Sequence, residues 1–288
     1  MTGILLIDKP SGWTSSDVVA KLRGVLRERR IGHSGTLDPK ATGLLVVFVG
    51  RATRAVEFAE SQEKRYRAGL RLGLETDTQD ITGRPIGGEK REISTEELEN
   101  VLASFRGEIE QIPPMYSAIK VKGQKLYEIA RRGGEVERRP RRITIHELKV
   151  AGRDGEDYLL DIRCSKGTYV RTLCHDIGRA LGCGGCMSSL RRTRAGEFRL
   201  EDAHTLDEVQ KAADTGQLES LLLPVDTLFD EEKAVISGKA EAILRVGGQP
   251  GIKLPDGRYR IYSDKGEFLA LCRCEQGKLI TIKSFFEV

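Results

Sequence analysis

The chain lacks the marks of several large protein classes. None of its 288 residues falls in an apolar stretch long enough to span a bilayer, and residues 1–10 carry a short apolar run without a basic leader or cleavage site. A cytoplasmic protein is the expectation. There is no Walker phosphate loop, no GxGxxG dinucleotide fingerprint and no HExxH zinc pair, so nothing calls for a nucleotide, a redox carrier or a metal. Cysteine is sparse. Of the six, Cys183 and Cys186 form a CxxC and Cys272 and Cys274 a CxC, but neither pair has the second half of a zinc ribbon. Free structural thiols are expected, with a metal site at Cys164, Cys174, Cys183 and Cys186 as the lesser alternative. A net charge of only +4 also rules out a polybasic arm as the whole story.

What is present is concentrated. Between residues 125 and 142 one lysine and six arginines face three glutamates, a local +4 equal to the excess of the whole chain. An acidic partner would meet the protein there. Residues 32–43 read GHSGTLDPKATG, with three glycines, two threonines, one histidine and one aspartate in twelve positions. Pro39 removes a donor and pushes Asp38 towards an extended conformation. Composition alone favours an ordinary helical turn with Asp38 as N-cap and Pro39 at the first helical position.

Periodicity supplies the frame. Residues 3–7 read as a buried strand, and Ser15 or Ser16 as the cap of a helix with Val18, Val19, Leu22, Val25 and Leu26 inward. Arg27, Arg29 and Arg30 at its end suit either the helix dipole or phosphate contact. Residues 44–49 form an inner strand. Residues 65–74 alternate, with Tyr66 opening the buried row. Residues 76–85 are a polar loop in which Asp77 and Asp80 are read as a solvated turn in preference to a cation site. Ser94 or Thr95 caps the next helix. From 113 to 142, Tyr116 and Tyr127 interleave with Lys120, Lys122, Lys125 and the arginines, a texture suited to looped or single-stranded RNA. Two strands, 143–150 and 158–164, precede a helix at 169–181. Short helices fill 203–228. From about 233, a short helix and three strand-like runs at 258–263, 267–274 and 279–286 read as a small half-barrel.

Six blocks carry a resemblance: GHSGTLDPKATGLL, LIDKPSGWTSSD (6–17), KRYRAGLRLGLETDTQDITG (64–83), PPMYSAIKVKGQKLYEIARRG (113–133), CSKGTYVRTLCHDIG (164–178) and LRRTRAGEF (190–198). Taken in chain order they resemble the tRNA pseudouridine synthases that act on the T-loop uridine. The resemblance implies an α+β fold: a mixed, largely antiparallel sheet catalytic domain at 1–228 with flanking helices and an RNA-binding insertion at about 108–142, then a small β-rich PUA domain at 233–288. It implies Asp38 as the nucleophile, Arg171 as its charge partner, and Tyr66 as the platform for the target base. Tyr169 and Leu190 would complete the base pocket, and His33 would fill the space a flipped base vacates. Lys9, Arg131, Arg132, Arg138, Arg139, Arg141 and Arg142 are the RNA-contact candidates.

The chemistry agrees with the absences. Turning uridine into pseudouridine breaks the N1–C1′ bond and joins C5 to C1′ without redox change or group donor, so no cofactor is expected. One ionised carboxylate in a water-poor pocket is sufficient once the base leaves its stack. The expected partner is tRNA, bound through its T-arm by a monomer with no membrane and no obligatory protein partner. Two rivals stand beside this: a non-catalytic tRNA-folding protein, and a guide-RNA-dependent pseudouridine synthase.

Overall fold

The computed structural model describes residues 1–117, 119–121 and 123–286, and the side chains of Lys120, Lys125 and Arg131 fall outside that description. The first apolar run becomes β1 (Gly3–Lys9) and the second β3 (Thr42–Val49), paired antiparallel from Gly3↔Val49 to Lys9↔Gly43. Both faces of this ribbon are covered, which is why the run at 44–49 is continuously apolar. Ile4, Leu6, Leu44, Val46 and Phe48 enter one core, while Leu5, Ile7, Leu45 and Val47 enter another beneath α1 (Ser15–Leu26).

The cap of α1 lies one residue earlier than expected. Thr14 accepts from Asp17 N at 3.0 Å and Asp17 accepts from Thr14 N at 2.9 Å, a reciprocal capping box. Ser15 is buried instead, and its hydroxyl accepts from Leu37 N at 2.9 Å. The start of the helix is thereby tied to the central loop.

Short β2 (Ile31–Ser34) lies along the end of β3, and α2 (Val56–Glu60) follows. Then come β4 (Lys64–Leu72), the small pair β5 (Glu75–Thr76) and β6 (Pro85–Gly87), α3 (Thr95–Ala103) capped by Ser94, and β7 (Gly107–Gln111). Residues 112–140 leave the sheet, carrying the hairpin β8 (Lys120–Val121) and β9 (Gln124–Lys125) and the single turn α4 (Leu126–Arg131). The chain re-enters as β10 (Arg141–Asp154), followed by β11 (Asp157–Cys164), α5 (Val170–Ala180), β12 (Gly185–Ala195), β13 (Phe198–Arg199) and α6 (Leu206–Asp214). The alternation read at 65–74 holds in β4, where Ala68 and Leu70 pack with Leu160, Ile162 and the Leu173 and Ile177 face of α5. On the other face Arg67 meets Asp161 at 3.0 Å.

The nine-stranded sheet runs β1-β3-β12-β4-β11-β10-β7, with β2 and β13 beside it, and one pairing in it is parallel. That pairing is a seam. β12 follows β4 along most of its length but meets β3 only at Arg191↔Thr42 and Arg192↔Gly43. Gly43 has φ +95°, and a Cβ there would lie 2.3 Å from the Arg192 carbonyl oxygen, so this closest approach requires glycine.

The small β-rich unit is a separate four-stranded sheet of β14 (Glu232–Ile236), β15 (Gly257–Ser263), β16 (Phe268–Glu275) and β17 (Lys278–Ser284), with α7 (Gly238–Arg245) after β14. β14 falls where the sequence suggested only a helix. Its five residues carry two charges and turn inward only Ala234 and Ile236, too short a pattern to register as alternation. The unit also shares a core with the large sheet: Leu271 and Phe285 pack with Ile4, Phe48, Phe58 and Phe229. Arg54 Nη1 donates to Ser284 O at 3.0 Å, and Lys283 Nζ meets Glu57 at 2.6 Å.

Candidate active site

The central loop leaves β2 and enters β3 without forming a helix. Asp38 therefore caps nothing; its carbonyl accepts from Ala41 N at 3.0 Å in a simple turn. Its carboxylate faces a cleft of about 1160 Å³ between the loop, β4, β12, the start of α5 and the insertion. Arg171, in the first turn of α5, reaches across with Nη2 at 3.0 Å from Oδ2 and 3.1 Å from Oδ1. Nη1 of the same guanidinium lies 3.8 Å from Asp80.

Asp80 is the residue the sequence reading missed. Its side chain is 14% exposed, not solvated, and its Oδ1 accepts from Thr82 N at 2.9 Å and Thr78 Oγ1 at 3.0 Å. Thr, Asp and Gly spell a surface turn in isolation. Partners far along the chain turn this one inward: Ile81 N donates to Met187 O at 2.8 Å and Met187 N to Gln79 O at 3.0 Å, docking the turn on β12 beside Arg171.

Arg171 pairs with Asp38 as the resemblance implies and favours its ionised form, but it does not act alone. Burial raises the Asp38 pKa above its ordinary 3.8, Arg171 and Lys9 pull it down, and Asp80 pushes it up, with a net upward shift. Desolvation, reinforced by the like charge of Asp80, outweighs the pull of the two cations.

Tyr66, Tyr169 and Leu190 all line the same cleft as Asp38. Burial raises the Tyr66 phenol, whose oxygen lies beside the Arg192 guanidinium. Tyr169 is fixed by its backbone. Gln111, 2% exposed, accepts from Tyr169 N at 2.8 Å and donates to Tyr169 O at 3.1 Å, a bidentate clamp from β7. His33 does not join them. It pairs with Val47 on β2, its Nδ1 is buried without a partner, and burial lowers its pKa.

Lys9 is a correction. It is 0% exposed, and its Nζ donates to the carbonyls of Pro10 at 2.9 Å, Trp13 at 2.6 Å and Pro39 at 3.3 Å. An ammonium so enclosed cannot touch a phosphate; it brackets the end of β1 to the central loop. Arg141 and Arg142, by contrast, are exposed on the cleft wall, and Arg132 and Arg139 are exposed beyond it. Arg138 is partly buried against Pro113 O at 3.2 Å. Lys122, expected among the RNA-facing cations, lies outside the described residues, as do the side chains of Lys120, Lys125 and Arg131. The six cysteines are buried thiols, and among the described residues no three His, Cys, Asp or Glu side chains converge as a metal site. No described helix is long and apolar enough to cross a membrane.

A half-buried aspartate paired with a buried arginine, in a cleft also lined by two tyrosines and flanked by exposed arginines, describes an enzyme that works on one unit of a polyanion. Comparison with known proteins gives the particular family. The profile of the TruB family pseudouridylate synthase N-terminal domain matches residues 23–170, and that of the tRNA pseudouridylate synthase B C-terminal domain matches 171–230. The tRNA pseudouridine synthase B of Alkaliphilus oremlandii is 48% identical over 82% of this chain and 78% of its own length. That of Azoarcus sp. is 43% identical over 96% and 92%. Among solved structures, a Cbf5-Nop10-Gar1 complex superposes with TM-score 0.74 at 28% identity, covering 99% of this chain and 85% of that one. The chain belongs to the TruB family and is a pseudouridine synthase.

Proposed function

We propose that this enzyme converts the T-loop uridine of tRNA, position 55, to pseudouridine, with Asp38 as nucleophile or base and no cofactor. The observation that carries the reading is the Arg171 fork between Asp38 and Asp80 in a cleft that Tyr66 and Tyr169 also line. A uridine in the cleft would have an aromatic face to stack on, a carboxylate fixed in orientation, and little water. Flipping costs on the order of a few kcal/mol, offset by that stacking. Arg132, Arg139, Arg141 and Arg142 would follow the phosphates, with residues 112–140 gripping the T-arm and the four-stranded sheet extending the RNA surface. Asp38 remains competent to attack C1′, to add to C6, or to promote loss of the C2′ proton.

Relatives named for tRNA at 43–48% identity favour tRNA as substrate. The likeness to Cbf5 assemblies favours a guide-RNA-dependent mode less, since it holds at 28% identity. One measurement separates them: tritium release from C5-labelled uridine in a tRNA transcript incubated with this protein alone. Release, lost when the T-loop uridine is replaced by cytidine, is the expected result. No release without an added guide RNA or protein would overturn the reading.

A further inference from the structure

Lysine and arginine are almost never fully buried unless paired. In this chain the charged residues buried most completely among those described are Lys9, Lys64, Arg171 and Arg192, all cations and all grouped around the central loop. Of the carboxylates lining the same cleft, Asp38 and Asp80 are engaged by Arg171 and Glu57 by Lys283, while Glu60 forms no ion pair with the buried cations among the described residues.

Lys64 and Arg192 have no carboxylate partner among the described residues. Arg192 Nε donates to Leu44 O at 2.7 Å and Nη2 to Gly35 O at 2.9 Å. Lys64 Nζ donates to the carbonyls of Glu60 at 2.7 Å and Gln62 at 2.6 Å. Both line the cleft, and a Cβ placed on Gly35 would lie 3.1 Å from Arg192 Nη1 and 3.9 Å from Lys64 Cε. Two positive charges therefore flank the aspartate loop on the Tyr66 side, held by carbonyl dipoles and, for Arg192, the Tyr66 hydroxyl, with Glu60 acting on Lys64 without an ion pair. Neutral donors could have satisfied those carbonyls, and burying unpaired charge is costly.

On the pseudouridylation reading the missing charge has a source. When the N1–C1′ bond breaks, its electron pair leaves with the base, whether C1′ is taken by Asp38 or becomes a double bond through loss of the C2′ proton. Addition of Asp38 to C6 instead places the charge on the C4 enolate. In every order the uracil ring carries one negative charge; it is returned when C5 bonds to C1′ as the Asp38 bond to C1′ or C6 breaks, or as Asp38 gives its proton back to C2′, after which C5 loses its proton and N1 gains one. We propose that Lys64 and Arg192 form a charge-stabilising pair for the uracil anion. A preorganised cation at a site poor in water acts on such developing charge without reorganisation.

Lys64 supplies the test because its proton can be removed near neutrality. Its pKa is lowered to about 8, by burial first and then by Arg192, against the opposing Cys164 and Glu60, with Lys166 a smaller lowering influence. The experiment is single-turnover pseudouridine formation by the full chain on a tRNA transcript across pH, with affinity and melting temperature followed in parallel. The rate should fall above about pH 8 in the native protein, and in Lys64→Arg that fall should move up by roughly one pH unit or more. Lys64→Met should lose roughly a hundredfold in rate at pH 7 with affinity within about threefold. A native rate flat through pH 9, or a Lys64→Met protein with weakened affinity, reduced salt dependence and unchanged rate, would overturn the proposal; the latter would make Lys64 a phosphate contact. Should Lys64→Met fail to fold, the profile of Lys64→Arg decides. Absence of any pseudouridine with the native protein would sink the functional reading itself, a separate result.

Discussion

Replacing Asp38 by asparagine separates chemistry from architecture because the two are nearly isosteric. The side chain caps no helix, and an amide oxygen can still accept from Arg171, which keeps Asp80 as its second partner. Burial raises the carboxyl pKa in the fold, so the protonated form is the one the fold favours. Below the unfolded pKa that preference adds stability; as pH rises through the folded value it is lost, and at pH 7 the ionised carboxylate is a net cost. The Asp38→Asn change removes that cost. With the side chain 37% exposed, solvent screening keeps the gain small, within about 1 kcal/mol. A melting temperature unchanged or raised by about 2–4 °C is therefore expected. Turnover should fall on the order of 10⁶-fold, as when a nucleophile is removed from a hydrolase. Affinity for a tRNA transcript should stay within a few fold, measured by filter binding beside single-turnover pseudouridine formation. The native enzyme's acid limb should lie above 3.8, and in Asp80→Asn it should move down, since Asp80 is one of the groups raising Asp38. Turnover by the asparagine protein, with deamidation excluded by mass spectrometry, would refute the reasoning.

Three further outcomes are expected. Arg141→Glu with Arg142→Glu, both exposed on the cleft wall, should weaken tRNA binding and flatten its salt dependence by roughly one to two units of slope; identical slopes would make them ordinary surface. Gly43→Ala places a Cβ 2.3 Å from the Arg192 carbonyl at positive φ, and should cost about 2–4 kcal/mol in urea unfolding, since backbone cannot give way there; a cost below about 0.5 kcal/mol would show the seam to be loose. Deleting residues 233–288, expected from sequence to weaken binding more than turnover of bound tRNA, should also reach the fold, because Phe285 and Leu271 lie in the same core as Phe48. The truncated chain should bind a hydrophobic dye and melt at lower temperature, and a native-like melting curve would contradict the shared core.

The contrast between Asp38 and Asp80 shows how far the sequence could be read. Asp38 sits in a run whose glycines and proline are unusual enough to draw attention, and Arg171 follows a strand that ends at a predictable helix start. Asp80 sits in a turn with the composition of a solvated one, and its burial is decided by β12 and α5, elements far along the chain. The buried cations were illegible for a related reason. Lysine and arginine read as surface by default, so Lys9 was expected at the RNA when it is wholly enclosed. Periodicity located the long strands and helices, yet β14 is too short and too charged to leave a pattern. Pairing partners, and with them the joining of the two halves of the sheet by β12, are set by contacts far apart in sequence.

That seam has a consequence for how the enzyme comes into being. Asp38 belongs to the half of the sheet made from the first fifty residues, while Tyr66 and Arg171 belong to the half built on β4, β11 and α5. The strand between them, at residues 185–195, is nearly the last of the large sheet to be synthesised. Until it has emerged and inserted, the two halves can each collapse, but the aspartate and its partners have no common frame. Pairings of such long sequence separation are slow to close. Renaturation should accordingly show helix and sheet content returning before activity, with β12 insertion setting the lag, and ribosome-bound chains stopped short of β12 should be inert however compact they are.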